Sequence, residues 1–180
     1  PGAYLINAAL STFAAAAVAN AIPPRIYERG QLSDIGLGWS VASRRNLALG
    51  MLGGIGSALI VLIGPILVRA AELEPVPDSR TQWGNLLFVT LVLLFGAVGE
   101  EMLFRGYGFQ VLVNALGPYA TILPVSVLFG LAHTSNQNVT TLGVVNTVLW
   151  GILLGYAFLR SGDLWVPIGL HFGWNWTLPL

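Results

Sequence analysis

Polar side chains inside apolar segments of the second half of this sequence could perform hydrolytic chemistry. Glu100, Glu101 and Arg105 lie in one such segment, and His133 and His171, the two histidines of the chain, lie at the end of or inside two others. A charged side chain within a bilayer costs about 2.5–3.5 kcal/mol on insertion scales, so such residues are typical of functional sites. One carboxylate to deprotonate water, with donors for the oxyanion, is sufficient for hydrolysis of a peptide bond.

Helical spacing separates the roles of these residues. Glu101 and Arg105 are four residues apart with the acid first, an arrangement that favours an ion pair on one helix face. Glu100 lies about 100° around the helix from Glu101 and has no obvious partner, so it is the freer carboxylate and the candidate general base. His171 and Asn175 are also four residues apart and share one face of the last segment.

Two further interpretations of the same residues stay open. Buried Glu and His side chains also relay protons in transporters, although the first half of the chain has no buried charge that would mirror Glu100 in a repeat. A non-catalytic membrane scaffold or immunity protein could retain the same residues as a structural ion pair and satisfied core histidines.

The composition predicts an integral membrane protein. Hydrophobic residues make up 55% of the 180 residues and charged residues only 9%, against about 25% in soluble domains. The apolar runs are continuous rather than alternating, which indicates helices rather than a β-barrel. With no lysine and no net charge, a nucleic-acid surface is excluded, and the absence of cysteine excludes thiolate chemistry.

The hydropathy pattern predicts an all-α, polytopic helical bundle with about six transmembrane segments. The chain starts at Pro1 and stops at Leu180 without a polar tail, so we expect a fragment of a longer protein. We predict one transmembrane domain, 1–180, in which 1–82 forms an N-terminal helix pair with loops and 83–180 forms the catalytic core. The predicted segments are 3–22, 46–68, 83–116, 119–133, 139–160 and 164–180, with loops at 23–45 and 70–82.

Two glycine patterns refine this prediction. The segment 83–116 would be about 51 Å long, which exceeds the hydrocarbon core of about 30 Å, so it must tilt, protrude or break, and Gly106 and Gly108 are the expected break points. Gly50 and Gly54 form a pair that would let a neighbouring helix approach closely.

Three ordered motifs resemble those of a known family. GEEMLFRG at 99–106, FGLAH at 129–133 and HFGWN at 171–175 are similar to the EExxxR, FxxxH and HxxxN motifs of the CPBP family, also called the Abi family, which includes the type II CAAX prenyl endopeptidases. The resemblance covers about 83–180. It implies an intramembrane endopeptidase in which Glu100 and His133 activate water, His171 and Asn175 form the oxyanion site, and Glu101 and Arg105 fix the helix.

The resemblance also raises the question of a metal. Zinc in hydrolytic sites often takes two His and one Glu, and the ligands here would be Glu100, His133 and His171. HExxH is absent, and ligation by Glu100 would leave the paired Glu101 as the only base. We therefore favour a glutamate mechanism without a cofactor over a zinc-dependent one.

The expected partners follow from these predictions. We expect a multi-pass protein in the lipid bilayer, in the plasma membrane of a prokaryote, that acts on a membrane peptide or protein. A prenylated CAAX tail, a leader peptide and a membrane-protein segment would all suit a cavity open to the bilayer. No nucleic acid is expected as a partner.

Overall fold

The computed structural model describes residues 2–72, 83–136 and 138–178, and this part of the chain is helical without a β-strand. Seven α-helices and one short 3₁₀ helix make up the described ranges. This confirms the predicted all-α class. In chain order the elements are α1 (Gly2–Tyr27), the 3₁₀ helix (Leu32–Ile35), α2 (Val41–Leu67), α3 (Trp83–Arg105), α4 (Tyr107–Leu116), α5 (Pro118–Ala132), α6 (Thr141–Ser161) and α7 (Trp165–Thr177).

Four stretches of the described chain are long and apolar enough to cross a membrane: Leu5–Tyr27, Val41–Leu67, Trp83–Leu116 and Thr141–Ser161. Their outward side chains are exposed leucine, isoleucine and valine, as lipid contact requires. The other two segments of the predicted six correspond to α5 and α7, with 15 and 13 residues. At about 22 Å and 20 Å, both are shorter than a hydrocarbon core of about 30 Å. The chain is an integral membrane protein.

The loop predicted at 23–45 is shorter than expected at both ends. Helix α1 continues through Pro23 and Pro24 to Tyr27, so the predicted end at Ile22 is wrong. A proline removes one backbone donor but keeps its carbonyl, and the Pro24 carbonyl still accepts from the amide of Glu28 at 3.0 Å. The predicted linker 70–82 lies largely outside the described residues.

Helix α2 begins at Val41 rather than at Asn46 because Ser40 caps it. The Ser40 hydroxyl accepts a hydrogen bond from the Ser43 amide at 3.2 Å, which satisfies one of the unpaired donors of the first turn. Arg44 and Arg45, predicted in the loop, therefore lie in this helix.

The long third segment breaks at Gly106, one of the two predicted points. Asn20 of α1 bridges the break: its Nδ2 donates to the Met102 carbonyl at 2.9 Å, and its Oδ1 accepts from the Tyr107 amide at 2.7 Å. A Cβ at Gly106 would collide with the Asn20 carboxamide and the Met102 carbonyl. Glycine is thus required where Asn20 enters the break.

Helices α2 and α7 pack backbone to backbone through glycines. The predicted close approach at Gly50 and Gly54 is confirmed, since a Cβ at either position would collide with carbonyl oxygens of α7. Gly169 and Gly173 of α7 face α2 in the same way. Matched pairs of small residues are typical of tightly packed membrane helices, and here they fix the helix that carries His171.

The start of α7 is also held by the segment after the 3₁₀ helix. The Leu164 amide donates to the Gly36 carbonyl at 3.0 Å, and Trp165 Nε1 donates to the Gly38 carbonyl at 2.8 Å. Asn46 of α2 contacts Asp163 at 3.2 Å. The N-terminal half therefore holds α7 both at its start and along one face.

Candidate active site

The centre of the bundle contains a buried network around Glu101. Its Oε1 accepts from Arg105 at 3.2 Å and from His171 Nδ1 at 2.8 Å, and the Glu101 and Arg105 side chains are fully buried. The predicted i, i+4 pair is therefore present. It links α3 to α7 because the same carboxylate oxygen also binds the histidine.

Arg105 extends this network to α5 and α6. Its second guanidinium nitrogen donates to the Gly151 carbonyl at 2.8 Å, and its charge lies 4.6 Å from the centre of the Phe129 ring, a cation–π contact. Only glycine fits at position 151, because a Cβ there would lie too close to Ser126 of α5. One arginine thus fixes the relative positions of four helices.

Glu100 points to a different centre, as its angular offset from Glu101 predicts. Its Oε2 lies 3.5 Å from His133 Nε2 and 3.8 Å from His171 Nε2. This oxygen is buried and has no hydrogen-bond partner among the described residues. The carboxylate therefore stands between two imidazoles without a direct hydrogen bond to either of them.

The ring hydrogens of both histidines can be placed from their other contacts. His133 Nδ1 lies 2.7 Å from the Phe129 carbonyl, which can only accept, so Nδ1 carries a hydrogen. His171 Nδ1 faces the Glu101 carboxylate at 2.8 Å and carries one for the same reason. In the neutral form of each ring, Nε2 is then an acceptor that faces Glu100.

A cavity of about 460 Å³ opens beside these groups. Its polar wall includes Glu100, both histidines and Asn175, and its apolar wall includes Leu5 of α1 and Leu93 of α3. Trp150 and Trp174, whose ring centres are 4.6 Å apart, form another part of the wall. The cavity has the volume of a site for a small ligand or a short peptide segment.

The structure brings all six predicted site residues together, in two layers. Glu100, His133, His171 and Asn175 line the cavity, whereas Glu101 and Arg105 lie buried behind His171. Their catalytic roles stay predictions.

Two asparagines were not predicted from the sequence: Asn20 bridges the helix break, and Asn146 lines the cavity. Both are asparagines within apolar segments, and this is the signal that would have revealed them. Asn136, in the turn after α5, also lines the cavity without having been predicted.

The possible zinc ligands Glu100, His133 and His171 all line the cavity. Two imidazole nitrogens and the Glu100 carboxylate converge, but in the described part of the chain no group of three His, Cys, Asp or Glu side chains could hold a metal ion. The glutamate type and the absence of a cofactor stay predictions.

The chain is similar to proteins of a known family. A family model described as Type II CAAX prenyl endopeptidase Rce1-like matches residues 82–177, more than half of the chain. An Escherichia coli protein described as an uncharacterized 24.3 kDa protein is 28% identical over 144 residues, which are 79% of this chain. The chain spans 62% of the length of that relative. No solved structure gives a significant match. The matched region contains the carboxylates, both histidines and Asn175, and the chain belongs to the Rce1-like family of type II CAAX prenyl endopeptidases.

Proposed function

We propose that this protein is an intramembrane endopeptidase that hydrolyses a peptide bond of a membrane-associated substrate with water activated by Glu100 and His133. The observation that carries the proposal is the position of Glu100 Oε2, 3.5 Å and 3.8 Å from the two imidazole Nε2 atoms at the wall of a cavity. Membership of the family supports the same activity.

The proposed reaction begins with a water molecule in the cavity beside Glu100 and His133, which both line it. Because Glu100 Oε2 is buried, this water contacts the other oxygen of the carboxylate and bridges it to His133. Both groups offer lone pairs, so the water donates its hydrogens to them and directs its own lone pair at the substrate carbonyl. Glu100 removes one proton as the new C–O bond forms.

The oxyanion that then develops needs donors. Asn175 lines the cavity and offers an amide N–H₂, and His171 is the second residue of the proposed oxyanion site. When the C–N bond breaks, the proton held by Glu100 passes to the leaving nitrogen. The products are one peptide with a new carboxylic acid, which keeps the second water hydrogen until it ionises in water, and one with a new amine.

A glutamate mechanism agrees with the buried network behind the site. Glu101 is committed to Arg105 and His171, so Glu100 is the one carboxylate of the pair that faces the cavity. If Glu100 were a metal ligand, the described lining residues would provide no second carboxylate as a base. We therefore propose that no metal is needed.

The proposed substrate is a membrane peptide or protein, and a prenylated CAAX-type tail is the first choice because of the family. We propose that the protein is multi-pass and lies in the plasma membrane of a prokaryote. Its four long apolar stretches support the multi-pass topology. The cavity wall includes Leu5 and Leu93, two apolar residues from helices long enough to span the bilayer. This lining suits a substrate that reaches the site through lipid.

The test uses purified protein in liposomes and a quenched peptide that ends in a farnesylated cysteine and three further residues. We expect cleavage by the wild type and a loss of at least about 10²-fold in Glu100→Gln and in His133→Ala. Glu28→Gln is the matched control, because Glu28 is an exposed carboxylate that contacts Tyr107 away from the cavity. Undiminished turnover in Glu100→Gln would reject the proposed mechanism.

A further inference from the structure

One face of α6 forms part of the wall of the cavity that holds the proposed catalytic groups. Asn146, Trp150 and Leu154 occur at intervals of four residues and all line the cavity. Leu154 is buried and Asn146 is exposed, so the polar residue stands at the open end of this wall. Thr147, beside Asn146, also lines the cavity.

The Asn146 carboxamide has no hydrogen-bond partner among the described residues. An asparagine in a membrane helix commonly bonds across to another helix, as Asn20 does in α1. The neighbouring Thr147 hydroxyl, by contrast, donates to the Gly143 carbonyl of its own helix at 2.9 Å. Of these two polar residues on α6, Asn146 therefore retains its full capacity to bind a ligand.

The chemistry of the remaining lining limits what that ligand can be. Apart from Glu100 and the two histidines, the described lining residues are neutral amides, a hydroxyl and apolar or aromatic groups. The wall therefore offers no fixed charge with which to select a charged substrate side chain. A carboxamide offers a donor and an acceptor together, the complement of the C=O and N–H of an extended peptide main chain.

We propose that Asn146 is a substrate-positioning residue that binds the peptide main chain next to the scissile bond. This inference rests on the proposed peptidase function and adds how the substrate is held. A peptide that enters the cavity loses water from its backbone, and each unpaired group there has a cost, so Asn146 favours binding by replacing that water. Recognition of main-chain groups makes the site tolerant of substrate sequence at this position.

The experiment measures binding separately from hydrolysis. The probe is the farnesylated peptide used above, labelled with a fluorophore, and Kd is measured with Glu100→Gln protein and with the Glu100→Gln/Asn146→Leu double variant. We expect the Asn146 substitution to raise Kd about tenfold, and in the active enzyme to raise KM about tenfold with kcat within twofold. Asn114→Leu is the matched control, because Asn114 is an exposed amide on α4 outside this cavity.

A second probe tests the hydrogen bond directly. In a series of probe peptides, one main-chain N–H at a time is replaced by an ester oxygen. We expect the Glu100→Gln protein, which retains Asn146, to bind one such ester about tenfold more weakly than it binds the unmodified peptide. The Glu100→Gln/Asn146→Leu protein should bind that ester and the unmodified peptide equally well. Equal Kd for the two proteins, or equal ester effects in both, would overturn the proposal. Asn146-dependent binding without cleavage by the wild type would instead contradict only the peptidase function.

Discussion

His171 Nδ1 lies 2.8 Å from Glu101 Oε1, the same oxygen that contacts Arg105 at 3.2 Å. One buried carboxylate therefore orients an imidazole of the cavity and neutralises the arginine behind it. The adjacent Glu100 and Glu101 consequently have different surroundings, and substitutions of the two should have different effects.

Glu101→Gln should lower both stability and activity, whereas Glu100→Gln should lower activity alone. Removing the Glu101 charge leaves Arg105 buried and unpaired, which costs about 3–5 kcal/mol. Glu100 faces a cavity, so its amide remains hydrated. Thermal unfolding in detergent and peptide cleavage, measured on both variants, test the distinction. A large loss of stability in Glu100→Gln with none in Glu101→Gln would contradict it.

Asn20→Ala should destabilise the protein by about 2 kcal/mol or more, because the Tyr107 amide and the Met102 carbonyl lose their bonds to the carboxamide. The measurement is the free energy of unfolding in detergent. The control is Asn114→Ala, which removes an exposed amide from α4 and should have little effect. Equal stability of the two variants would show that the helix break does not need its bridge.

Gly54→Ala should displace α7 and reduce turnover by at least about tenfold, because the new methyl group meets the Leu170 carbonyl and moves the helix that carries His171. Gly56→Ala on the same helix is the matched control, since nothing lies within 4 Å of a Cβ at that position. Cleavage rates and thermal unfolding of both variants provide the measurement. Wild-type turnover in Gly54→Ala would mean that the contact tolerates a methyl group.

Removal of metals should leave activity within about twofold if Glu100 is the base. The protein is treated with EDTA and 1,10-phenanthroline, its zinc content is measured by plasma mass spectrometry, and cleavage is compared before and after. Substoichiometric zinc with unchanged activity is expected. Stoichiometric zinc, with activity lost on chelation and restored by Zn²⁺, would replace the glutamate mechanism with a metal-dependent one.

Much of the architecture followed from local sequence rules. Continuous hydropathy predicted the helices, the length of 83–116 predicted a break that Gly106 provides, and four-residue spacing predicted the contact between Glu101 and Arg105. These features depend on residues close together in the chain or on helix length alone. For that reason no tertiary information was needed.

The features that were missed depend on long-range contacts. Asn20 is polar, but its partners Met102 and Tyr107 are more than eighty residues away, and hydropathy gives no indication of them. The continuation of α1 past Pro23 and Pro24 was missed for a related reason. Prolines in a sequence suggest a helix end, but they do not reveal the packing that supports the last turn. Asn146 is a third example, because its position on a cavity wall depends on how α6 packs.

The glycine contacts between α2 and α7 have a consequence for shortened forms of this protein. The matched region begins at residue 82, yet Gly169 and Gly173 rest against the backbone of a helix that precedes it. A chain shortened to the matched region would lack α2. The main chain of α7, the helix that carries His171, would then be exposed at these two glycines. Helix α2, which precedes the motifs, therefore positions the helix that carries the second histidine.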